Sequence, residues 1–92
     1  MTRIGVVLGG CGHRDGAEIQ EAVMTMLGLE EAGAEVRCLS RDKTQAKVVN
    51  HLNGETTGEE RNVLVESARI ARGAVVDAAK VDPAELDGIV LV

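Results

Sequence analysis

The sequence contains no phenylalanine, tyrosine or tryptophan. A chain without aromatic rings has no platform for stacking nucleobases, the usual means of holding single-stranded nucleic acid. Any core must be aliphatic. Positive charge is also scarce: 10 Lys and Arg against 15 Asp and Glu give a net charge of −5 and a pI near 4.9. That balance repels phosphate backbones and anionic lipid, so neither nucleic acid nor membrane is an expected partner. No apolar run approaches the roughly 18 residues that span a bilayer. Met1-Thr2-Arg3 leads into a short strand-like segment, not into the long apolar region of a signal peptide. Cysteine is nearly absent too. Cys11 and Cys38 lack metal-type spacing and read as free thiols of a reducing compartment, by default the cytoplasm; no metal and no cofactor is expected. The 92 residues make one domain at most. A chain of that size buries roughly 60–65% of its unfolded surface, so the core is thin.

What is present alternates between strand and helix signals. Ile4-Gly5-Val6-Val7-Leu8 is a continuous apolar run, suited to a strand covered on both faces. A glycine-rich loop follows, Gly9-Gly10-Cys11-Gly12-His13-Arg14. Asp15 with Glu18 reads as a capping box that opens a first helix. Ile19, Val23, Met26 and Leu27 give that helix its apolar stripe, and Gly33 ends it in a left-handed conformation. Glu35 to Leu39 alternates as a second strand. Residues 40–55 are polar around Val48, Val49 and Leu52 and read as an excursion. Thr57 with Glu60 is a second capping box, opening a helix buried through Val63, Leu64, Ala68, Ile70 and Ala71. Asp82-Pro83 starts a single helical turn, and Gly88 to Val92 is a last apolar strand. Alternation of this kind implies right-handed crossovers and a parallel sheet, with ligands held beyond the carboxyl ends of its strands.

The loop at Gly9, Gly10 and Gly12 lets a ligand approach the backbone, and a helix start behind it favours an anion. A dinucleotide fingerprint is the rival reading. Gly10-Cys11-Gly12-His13-Arg14-Asp15-Gly16 is one residue too long for it, although Asp42 follows strand two as an acidic partner would. Cys11 and His13 suggest a thiol–imidazole pair, but their spacing in a loop fixes no hydrogen bond. A small residue packed in a tight loop is the plainer reading of Cys11. Cys38 reads as a core thiol. His51 reads equally as a pocket-mouth residue, a dimer contact or a surface turn. Arg61, Arg69 and Arg72, interleaved with Glu59, Glu60 and Glu66, read as a solvated face. Glu21 in the first turns of helix one is either a solvated glutamate favoured by the helix dipole or a partly desolvated acid/base.

Several stretches together resemble the enhancing lycopene biosynthesis protein family, also called isoprenoid biosynthesis protein with amidotransferase-like domain. They are Ile4 to Gly12, Asp15 to Ala22, Asn50 to Glu55, Arg61 to Gly73, and Leu86 to Val92. The family lies in the PfpI-type, class I glutamine amidotransferase-like superfamily. The resemblance covers this chain but less than half of a typical member. It implies an α/β fold, a flavodoxin-like three-layer parallel sandwich of which residues 1–92 are an incomplete N-terminal part. It implies a dimer, and an elbow cysteine in the second half of the domain, so that the chain by itself is expected to be inactive. Some relatives are glyoxalase III enzymes, which convert the small aldehydes methylglyoxal or glyoxal to a hydroxy acid without glutathione. In them a helix glutamate hydrogen-bonds the cysteine, and the family's spacing back from Gly33 falls on Glu21. Glu21 is thus the implied acid/base and Glu18 a weaker candidate, with Gly9, Gly10, Cys11 and Gly12 lining the pocket. A non-catalytic module whose cysteine senses oxidants is the alternative.

Overall fold

A computed structural model describes residues 1–92. Four strands form one parallel sheet: β1 (Arg3–Val7), β2 (Glu35–Ser40), β5 (Val75–Asp77) and β6 (Gly88–Leu91), in the spatial order β5-β2-β1-β6. β1 is interior, paired to β2 from Arg3↔Glu35 to Val7↔Leu39 and to β6 from Ile4↔Gly88 to Val7↔Leu91. Its central Val6 is fully buried, as the continuous apolar run requires. β5 was not among the expected strands: Val75-Val76 is too short an apolar pair to announce itself, and it becomes a strand only by pairing with Cys38 to Ser40. The excursion after β2 holds a small antiparallel ladder, β3 (Val49–Asn50) with β4 (Glu55–Thr56), turned by Gly54 at φ 77°. Val48 and Val49 at its base are buried, so the segment contributes to the core after all.

The helices start later than their sequence signals. Helix α1 spans Ile19–Glu31 and is capped by Glu18, whose carboxylate accepts the N–H groups of Gln20 (3.3 Å) and Glu21 (2.7 Å). Asp15 is therefore not its cap. Helix α2 spans Val63–Ala71, and its cap is Asn62, accepting from the Val65 N–H at 2.9 Å. Thr57 makes only a local turn, its hydroxyl accepting from the Glu59 N–H. Gly33 takes the left-handed conformation expected of it, with φ 88°. Two 3-10 turns, Ala78–Lys80 and Pro83–Glu85, carry the chain from β5 back across the sheet to β6.

Both helices lie on one face. Val6, Leu8 and Cys38 point to it, and Ala22, Met26 and Leu29 of α1 pack there with Ile70 and Ala71 of α2. The buried edge of α1 is thus Ala22, Met26 and Leu29; Ile19, Val23 and Leu27 of the expected stripe stay half exposed. On the opposite face Gly5, Val7 and Leu39 are roofed by Leu86, Val81 and Pro83 of the 3-10 stretch, while Ile89 and Leu91 are 59% and 78% exposed. The chain holds two of the three layers of a flavodoxin-like sandwich.

Candidate functional site

β1 and β6 are neighbours although all the other elements intervene between them in the chain. The winding reverses there, and in open parallel sheets the crevice beyond the carboxyl ends of such strands is where ligands bind. The segment that leaves β1, residues 8–18, forms its near wall. Three contacts fix that segment. The Gly10 N–H donates to Ser67 Oγ at 2.9 Å. Ser67 Oγ lies 2.8 Å from Ser40 Oγ, with the carbonyls of Val63 and Leu8 as outer acceptors at 2.7 and 2.8 Å. Ser40 and Ser67 are fully buried, so the loop, β2 and α2 are joined by a sealed polar link whose groups are costly to leave unpaired.

Asp15 supplies the third contact. Its side chain is 6% exposed, and Oδ2 accepts the Val49 N–H at 2.7 Å, pinning the excursion to the loop. Oδ1 has no hydrogen-bond partner and lies 3.6 Å from His51 Nε2. That ring nitrogen accepts the Arg14 N–H at 3.3 Å, while Nδ1 faces the Val49 carbonyl at 3.1 Å. His51 therefore sits at the mouth of the loop, held by Arg14, Asp15 and Val49. His13, by contrast, is exposed and has no bond to Cys11. Glycine is required at Gly12, where a side chain would collide with Asp15 Oδ1, and at Gly16, where a Cβ would stand 2.7 Å from the Cys11 nitrogen. The Asp42 carboxylate accepts from Asn62 Nδ2 at 2.8 Å. It serves the α2 cap, and the loop is longer still than a dinucleotide fingerprint allows.

Cys11 is partly buried, and burial pushes its thiol above the ordinary range, with Arg69 drawing it partway back. Cys38 is buried, raised by the same desolvation, and has Sγ 3.3 Å from the Met26 sulfur. Near Cys11 stands a residue read from the sequence as part of a solvated face. Glu66 is 8% exposed in its side chain, and its Oε1 pairs with Arg69 Nε at 3.1 Å and Arg61 at 3.5 Å. The spacing 63, 66, 67, 70 on α2 is one buried stripe, and that periodicity was the available signal. The expected acids occupy the first turn of α1 and the residue before it. Glu18 is half-buried with its carboxylate on backbone N–H groups; Glu21 is exposed, one turn from the loop.

A parallel sheet with reversed winding at β1, and a glycine loop that opens into helix α1, make this chain part of a flavodoxin-like α/β fold. No family model matches the chain. It is 45% identical over 90 residues to human glutamine amidotransferase-like class 1 domain-containing protein 3, mitochondrial, covering 97% of this chain and 34% of that protein. It is 44% identical to the rat ES1 protein homolog, mitochondrial, again across 97% of the chain and 34% of the relative. The crystal structure of an Ehrlichia chaffeensis isoprenoid biosynthesis protein with amidotransferase-like domain superposes with a TM-score of 0.94 at 47% identity, over 97% of this chain and 42% of that one. The resemblance read from the sequence holds over the chain, which corresponds to the N-terminal portion of such proteins and spans about a third of the curated relatives' length. No helix is long and apolar enough to cross a membrane.

Proposed function

We propose that the chain forms the acid/base-bearing wall of a glyoxalase III-like enzyme, glutathione-independent and connected with isoprenoid biosynthesis. The single observation behind this reading is the close match to an isoprenoid biosynthesis protein with amidotransferase-like domain, at 47% identity and a TM-score of 0.94. Converting a 2-oxoaldehyde to a hydroxy acid in this way requires a thiol to add to the aldehyde, a proton to move between the adjacent carbons to leave an acyl thioester, and water to hydrolyse that thioester, releasing the hydroxy acid and the free thiol. A carboxyl group beside the thiol performs the proton transfer. Glu21, on the first turn of α1 beside the β1 loop, is the proposed acid/base. Glu18 is the second candidate, although its carboxylate is engaged in capping. Gly9, Gly10, Cys11 and Gly12 would line the pocket, with the nucleophile supplied from outside residues 1–92. A homodimer goes with this reading, and the half-exposed flank Ile19, Val23 and Leu27 of α1 is an apolar surface suited to it. The reading keeps the cytoplasm as the location, whereas the human and rat relatives carry "mitochondrial" in their names.

The test is lactate formation from methylglyoxal by the full-length protein. Turnover without glutathione, reduced about 10²-fold or more in Glu21→Ala, is the expected result. Unchanged turnover in Glu21→Ala with loss in Glu18→Ala would move the role to Glu18. No turnover by the wild-type protein would favour the redox-sensing module instead.

A further inference from the structure

Two fully buried serines from different elements converge on one turn of the loop after β1. Ser40 ends β2 and Ser67 lies on α2. Their two hydroxyl protons serve three oxygen contacts, so the wiring follows by elimination. The Leu8 carbonyl belongs to a buried residue and accepts from no backbone N–H, so the Ser40 proton goes there, at 2.8 Å. Ser67 Oγ accepts the Gly10 N–H at 2.9 Å. With the Ser67 proton on the Val63 carbonyl, 2.7 Å away, the two serine oxygens would face each other at 2.8 Å with no hydrogen between them. Directed to Ser40 instead, it completes a chain from the Gly10 N–H through Ser67 and Ser40 to the Leu8 carbonyl.

That chain grips both peptide units that flank Gly9. In a trans peptide the N–H and the carbonyl point in opposite directions. With the Leu8 carbonyl on Ser40 and the Gly10 N–H on Ser67, the Gly9 N–H and the Gly9 carbonyl are both turned away from the serines. For the N–H this is the β6 side, and the strand alternation agrees. The Leu8 N–H bonds the Leu39 carbonyl, toward β2, whereas the Val7 carbonyl faces the Val92 N–H, toward β6. The β1–β6 ladder opens at this point. The Val92 N–H reaches the Val7 carbonyl at 3.5 Å, and the next rung, from the Gly9 N–H to the Val92 carbonyl, is not made. Gly9 is exposed, its N–H and carbonyl have no partner in the chain, and a Cβ there would meet nothing within 4 Å. We propose that Ser40 and Ser67 are positioning residues that hold the Gly9 N–H and carbonyl at the switch point as a donor–acceptor pair for a small substrate. The substrate carries a carbonyl oxygen beside a hydroxyl, as a hydrated 2-oxoaldehyde does. The N–H donates to that oxygen, and the Gly9 carbonyl accepts from the hydroxyl. The choice of substrate rests on the glyoxalase reading above; the presentation of Gly9 rests on the serine geometry alone.

The experiment uses the full-length protein with isotope-labelled glycine, and hydroxyacetone as an unreactive probe that has a carbonyl beside a hydroxyl. Without the probe, the Gly10 amide should exchange with deuterium slowly and the Gly9 amide fast. A Gly9 amide as protected as Gly10 would mean that the ladder closes on it in the whole protein, and overturns the proposal. Hydroxyacetone should shift the Gly9 amide saturably. Ser40→Ala should weaken that binding about tenfold and raise KM for methylglyoxal by a similar factor, with kcat and the pH profile little changed. Ser40→Thr, which keeps the hydroxyl on a strand, should restore both. Ser67→Ala, the second variant should Ser40→Ala fail to fold, should speed Gly10 exchange about tenfold or more and weaken hydroxyacetone binding as well. No saturable Gly9 shift, or a shift indifferent to the loss of either hydroxyl, overturns the proposal. The two readings fail separately. A serine-dependent Gly9 shift without turnover of methylglyoxal removes the glyoxalase reading and keeps the site. Turnover that depends on Glu21, with KM and the Gly9 shift indifferent to Ser40→Ala, does the reverse.

Discussion

Cys11 shows how a residue's surroundings decide its chemistry. It sits on the loop at the switch point, where a thiol invites a catalytic assignment. Yet burial raises it above the ordinary thiol range, and the nearest assisting charge, Arg69, is already held by Glu66. A raised value means less thiolate at neutral pH, and the thiolate is the nucleophile. Cys11 should therefore react with iodoacetamide more slowly at pH 7 than free cysteine, with a midpoint above the ordinary ~8.5. Arg69→Ala should slow it further, because that guanidinium favours the charged form. Peptide mass analysis across pH reads both rates. Alkylation at pH 7 as fast as free cysteine would show an activated thiol. Single residues also show where the sequence misleads. Asp15 has the type and spacing of a helix cap, but the Val49 N–H, 34 positions away, takes its carboxylate. Nothing local announces such a competitor. Glu66 was legible: it shares a helical stripe with Val63, Ser67 and Ile70, and only its charge argued against burial.

At the scale of elements, the order and type of the long segments followed from periodicity, because β1, α1, β2, α2 and β6 each carry enough apolar residues to mark them. Boundaries and short pieces did not. Asn62 and Thr57 are both good caps by residue type; the choice falls on Asn62 because the next residue, Val63, is buried and Asp42 holds the amide in place. The far end of α2 is anomalous. Its cap residue, Arg72, is left-handed at φ 55°, ψ 44°, and is the one non-glycine residue with positive φ. That conformation costs a side-chain-bearing residue roughly 1–2 kcal/mol, part of which glycine loses again to unfolded-state entropy. Arg72→Gly should raise stability by about 0.5–1 kcal/mol, read as a higher midpoint in urea at unchanged slope. A lower midpoint would mean that the Arg72 side chain contributes more than its backbone costs.

For the whole molecule, the deciding feature is the uneven cover of the sheet. Ile89 and Leu91 on β6 and Val76 on β5 face the side without helices, and β6 has a free edge. Each such side chain left in water forgoes roughly 1.5–3 kcal/mol, against a total of about 5–15 kcal/mol for an ordinary domain. Exposed apolar faces and unpaired strand edges both promote association. Residues 1–92 alone should therefore melt broadly and with concentration dependence, or elute as an oligomer. A sharp, concentration-independent transition from a monomer of 9.7 kDa would show a self-sufficient domain.

The position of β6 sets a rule for anything added beside it. The steps from β1 to β2 through α1, and from β2 to β5 through α2, run in the same direction across the sheet, so two right-handed crossovers place both helices on one side. A step outward from β6 runs in the opposite direction. Handedness alone then sends its helix to the other side, over Val7, Ile89 and Leu91. The bare surface is thus a template with a built-in sense of rotation. It accepts a strand–helix unit wound in the chain's own sense and leaves a unit wound the other way stacked uselessly above α1.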